Sequence, residues 1–83
     1  MEKHKSFRDD AKYVRIEKKW QAAYRRRDRA YDAYIHPRVA NLETLRAKRA
    51  AVDAAERALK IWRTQLDRRR VELIKRWRAE GTI

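Results

Sequence analysis

Cysteine is absent, and glycine and proline occur once each in a chain of 83 residues. Without cysteine there is no disulfide framework and no thiolate metal site. One glycine cannot build a phosphate-cradling loop, and one proline leaves a single strong backbone interruption. No apolar run approaches the ~18–20 residues that cross a bilayer, and the opening MEKHKSFRDD holds no signal-peptide hydrophobic segment. A cytoplasmic, intracellular location is therefore the expectation.

Catalytic equipment is equally thin. His4 and His36 are the two histidines, one near the start and one in a turn, and neither stands in a cluster with carboxylates. No P-loop, GxGxxG, HExxH or EF-hand spacing is present, and the paired Glu-x-x-His motifs of di-metal bundles are missing. Asp9-Asp10 is the one adjacent acidic pair, explained as a complement to a helix dipole. A non-enzymatic protein with no metal and no cofactor is expected.

Charge is what the chain has in quantity. Lys and Arg number 24 against 12 Asp and Glu, a net charge of +12, and charged residues make up 43%. Such a balance can prevent collapse. Here hydrophobic residues also reach 43%, with three Trp and four Tyr, and they recur at helical spacing. That periodicity favours a folded chain over a disordered one.

His36-Pro37 divides the chain, because the residue before a proline is pushed out of the α region. Helix 1 is expected from about residue 7 to 35, opened by a Ser6 to Asp9 capping box. Its seam is Tyr13, Ile16, Trp20, Ala23, Arg27, Ala30 and Tyr34, widened by Tyr24 and Tyr31. The turn occupies 36–37, or 36–41 if Asn41 caps the next helix, which runs from about 38 to 80 and stops at Gly81. In helix 2, Leu45, Val52, Leu59, Leu66 and Leu73 recur at seven-residue spacing, with Ala55 and Trp62 between them. The expected fold is all-α: one two-helix antiparallel hairpin, coiled-coil-like, spanning 1–83. A core this small supplies only ~3–5 kcal/mol. Completion by homodimerisation or by docking on a larger complex is therefore expected.

With a tight turn, Tyr34 would meet Leu42, Trp20 would meet Ala55, and Tyr13 would meet Trp62. Helix 1 then runs out before helix 2 does. Leu73, Ile74 and Trp77 would overhang and form a protein interface. The same register gathers Arg25, Arg26, Arg27 and Arg29 beside Arg46, Lys48 and Arg49, and Arg68, Arg69 and Arg70 opposite Lys3, Lys5 and Arg8. Cations facing cations across a helix pair call for an external anion. Some charges have helical partners instead, with Asp53-Arg57, Glu56-Lys60 and Glu72-Arg76 in the favourable order.

Arg outnumbers Lys 16 to 8. Guanidinium binds phosphate bidentately and stacks on rings, so Arg clusters near Tyr and Trp suit nucleic acid, RNA somewhat more than DNA. The five aromatics of helix 1 read first as packing and second as base-stacking surface. The leading expectation is a small basic nucleic-acid-binding protein. The alternative is an adaptor, inhibitor or assembly component, of the size often encoded by phages and other mobile elements, that docks on an acidic surface of a larger complex. A membrane surface ranks third, because the apolar faces already have each other as partners.

Overall fold

A computed structural model describes residues 6–36 and 41–81, and every element among them is helical. A 3-10 turn, Phe7–Asp9, leads into α1, Ala11–Ile35, and α2 covers Leu42–Ala79. The two helices pack side by side into a hairpin 62 Å long and 19 by 15 Å across. The thirty-eight residues of α2 account for nearly all of that length at ~1.5 Å per residue.

Short polar side chains set the helix boundaries. The Ser6 capping box forms, with the Ser6 amide donating to Asp9 Oδ2 at 3.3 Å and Ser6 Oγ accepting from the Arg8 amide at 3.3 Å. It closes only the 3-10 turn. Asp10 interrupts the expected continuous helix, its backbone extended and its Oδ2 accepting from the Tyr13 amide at 2.8 Å as the cap of α1. Asn41 caps α2 through a 2.7 Å bond from the Thr44 amide, so the longer of the two turns is the one adopted. Residues 37–40 lie outside the described residues. Gly81, at φ 72°, ends α2 in the left-handed region that a side chain disfavours.

The longer turn corrects the register. Because α2 begins at Leu42 rather than near 38, each residue of α1 meets a partner further along the chain. Tyr13 packs with Leu66 and bonds to Arg70, one to two turns beyond the expected Trp62. Tyr34 lies beneath Arg49 rather than beside Leu42. The shift has one large consequence. Phe7 reaches Trp77, their rings stacked with centroids 5.3 Å apart, so the expected overhang is covered from within. Leu73 and Trp77 are buried at 2% and 8% exposure, and Ile74 is half-buried. The reading of these residues as an uncovered interface is corrected.

Large side chains fill the end where the chain termini meet: Tyr13, Leu66, Leu73 and Trp77 form one cluster, with Phe7, Ile16 and Trp20 against it. Nearer the turn the buried residues are small, Ala23, Val52 and Ala55. Small residues let helix backbones approach closely but leave the bulky seam neighbours at the edges of the pair. Tyr24, Tyr31, Ile35 and Leu42 are exposed there.

Candidate functional site

The Arg68-Arg69-Arg70 run divides three ways. Arg69 makes two 2.8 Å bonds to the Asp10 carboxylate and a third, of 2.9 Å, to Glu72. This fork-to-carboxylate geometry is the strong form of the ion pair, and both partners are mostly shielded from solvent. The bond from Arg69 holds the Asp10 carboxyl down to about 2, with the Tyr13 amide acting in the same direction against partial desolvation. Asp10 and Glu72 hold Arg69 above its ordinary value in turn. Arg70 donates to the Tyr13 hydroxyl at 3.0 Å, with its guanidinium 5.7 Å from that ring's centroid. Arg68 alone of the three is exposed, beside Thr64 and Val71. Arg69 has its anion inside the fold, which corrects the expectation of an external one. Lys3 and Lys5 lie outside the described residues.

The second expected cluster is spread out rather than gathered. The corrected register sets Arg27 level with Glu56, while Arg49 sits at Tyr34, seven residues or ~10 Å further along α1. Arg27 and Lys48 therefore do not share one level of the seam. Arg49 pairs with Asp53 at 3.5 Å and is raised by its bond to Tyr34 and by the Asp53 charge. Arg25, Arg26, Arg29 and Arg46 are exposed, and Lys48 is half-buried. None of these five makes an ion pair among the described residues, and the expected Asp53-Arg57, Glu56-Lys60 and Glu72-Arg76 pairs do not form there either.

What the register brings together instead is an aromatic and basic groove midway along the hairpin. Trp20 and Tyr24 stand one helical turn apart, their rings tilted by 52° with centroids 5.8 Å apart. Arg27 follows on the same flank and lays its guanidinium over the Tyr24 ring, 4.6 Å from the centroid. From α2, Glu56, Leu59, Lys60 and Arg63 form the opposite wall of a groove of about 320 Å³. A second hollow, of about 340 Å³, lies on the other side of the ring pair and is lined by Gln21 and Arg25.

The electrostatics of the groove are unbalanced. Arg27 bonds through one terminal nitrogen to Asp28 at 3.3 Å, and its Nε is buried with no hydrogen-bond partner among the described residues. Desolvation lowers the Arg27 pKa, but Asp28 and Tyr24 outweigh it, so the group is held above its ordinary value. Lys60 and Arg63 make no ion pair among the described residues. Tyr31, one heptad beyond Tyr24, continues the flank at 41% exposure.

Sequence reasoning named Arg25 and Arg27 but missed Lys60, Arg63 and Glu56, whose place depends on the register. The spacing of Trp20, Tyr24 and Arg27 was the available signal. Among the described residues no group of three or more acidic or histidine side chains could hold a metal, and no helix is long and apolar enough to cross a membrane. Comparison with family models, curated proteins and solved structures returns no match. The fold defines the chain as an α-helical hairpin protein, and its site is read from its own geometry.

Proposed function

We propose that this protein is a small, non-enzymatic, intracellular nucleic-acid-binding protein, with RNA favoured over DNA. The observation that carries the reading is the groove itself, where the exposed Tyr24 ring and the half-buried Trp20 are flanked by Arg25, Lys60 and Arg63, which make no ion pair among the described residues. Phosphates supply the missing counter-charge, and the bases supply faces for the rings. Aromatic rings beside guanidinium groups favour RNA, whose unpaired segments are recognised by stacking and phosphate contact together. The adaptor alternative loses its anchors, since Leu73 and Trp77 are spent in the hairpin's own core. Self-association belongs to the same proposal, and sedimentation of the free chain at micromolar concentration checks it.

The test is a binding titration against an RNA and a DNA duplex at two salt concentrations. If about six phosphates are neutralised, log K falls with log[salt] at a slope of about −4 to −5. No binding of either nucleic acid at low salt, or equal binding of polyglutamate, overturns the reading.

A further inference from the structure

The groove differs from a plain phosphate site in ways that bear on what enters it. Trp20 and Tyr24 make its α1 wall aromatic, and the α2 wall adds Leu59 and the Glu56 carboxylate. Phosphate is repelled by that carboxylate and gains nothing from apolar rings. A nucleobase suits both, because it has a flat apolar face and its edge carries amino or imino donors that a carboxylate accepts. Arg27 lines the groove with its guanidinium over the Tyr24 ring, 4.6 Å from the centroid. The volume of about 320 Å³ lies at the small end of ligand sites and suits one planar ring. The cations sit at the rim, Lys60 and Arg63 on α2 and Arg25 in the hollow beyond the rings.

We propose that this groove is a stacking subsite for one unpaired nucleobase of a single-stranded nucleic acid, whose phosphates run along the basic rim. The inference rests on the nucleic-acid reading above and makes it specific. A base inside a duplex has both faces covered by its neighbours, so only an unpaired base can present a face to Tyr24. The Trp20–Tyr24 pair stands on a continuous helix, so the platform is formed before the ligand arrives. Single strands are bound in preference to duplexes even though a duplex carries the denser charge.

Three probes at one salt concentration test it by fluorescence anisotropy: a short unstructured RNA, the same RNA annealed to its complement, and an abasic ribose-phosphate oligonucleotide of equal length. The unstructured RNA binds at least about fivefold more tightly than the abasic probe. Tyr24→Ala abolishes the difference between RNA and the abasic probe, while Tyr24→Phe retains it. Tyr24 is 42% exposed, so the alanine variant is expected to keep its helicity, which circular dichroism checks. Equal binding of RNA and abasic probe by the unsubstituted protein overturns the stacking subsite and leaves backbone binding standing. Absence of binding to all three probes at low salt overturns the nucleic-acid reading and the subsite with it.

Discussion

Arg70 at Tyr13 and Arg27 at Tyr24 are the same pair of residue types placed at the two halves of one hairpin, and their surroundings give them different work. Tyr13 is 3% exposed, and its hydroxyl, its ring and the neighbouring Asp10 engage Arg70 and Arg69 of α2. Tyr24 is 42% exposed, and Arg25, Lys60 and Arg63 around it make no ion pair among the described residues. An Arg–aromatic pair is therefore a clamp where a buried ring and an acid close it. It is left as an open surface where small core residues leave the ring at the edge. The terminal end holds the hairpin together, and the middle carries the groove for which binding is proposed.

The widest separation between the halves is in stability. Trp77→Ala removes the ring that covers the terminal end and costs about 3 kcal/mol or more, as much as a core of this size supplies, so the variant is largely unfolded by circular dichroism without denaturant. A loss under 1 kcal/mol would break the comparison. Acid is the next probe. The Asp10 carboxyl is lowered from 3.8 to about 2 in the folded state, so its stabilisation is fully present above the unfolded value and is lost as pH falls from there through the folded one. The thermal midpoint drops across that window, and Asp10→Asn has a lower midpoint at neutral pH and a flatter acid profile. Replacing Arg25, Lys60 and Arg63 together by Gln acts on binding instead. The slope of log K against log[salt] becomes shallower by about 2, with the unfolding midpoint little changed. The smallest stability effect belongs to Tyr24→Ala, about 0.5 kcal/mol by denaturant unfolding, because the ring it removes is largely outside the core.

The all-helical hairpin was legible in the periodicity of Leu45 through Leu73 and in the single His36-Pro37 break. The caps were legible too. Ser6, Asn41 and Gly81 act where their chemistry placed them, with Ser6 closing a 3-10 turn rather than α1. Register was not, because it depends on turn length, and a heptad pattern is satisfied equally well by slips of one turn. From that one ambiguity came the misplaced overhang at Trp77, the supposed cation cluster at Arg27 and Lys48, and the unseen pairing of Asp10 with Arg69. The groove was hidden for the same reason. Its α1 wall follows from four-residue spacing, but Lys60 and Arg63 join it only once α2 is correctly aligned.

The three tryptophans report on both halves at once, since Trp20 lines the groove, Trp77 closes the terminal cluster and Trp62 is half-buried in α2. Their indole N–H signals in a proton–nitrogen correlation spectrum, followed during titration with unstructured RNA, test the division of labour directly. The predicted result is a progressive shift of the Trp20 indole with the Trp77 signal stationary. A shift of Trp77 with Trp20 unmoved would place the ligand at the terminal end and contradict the account.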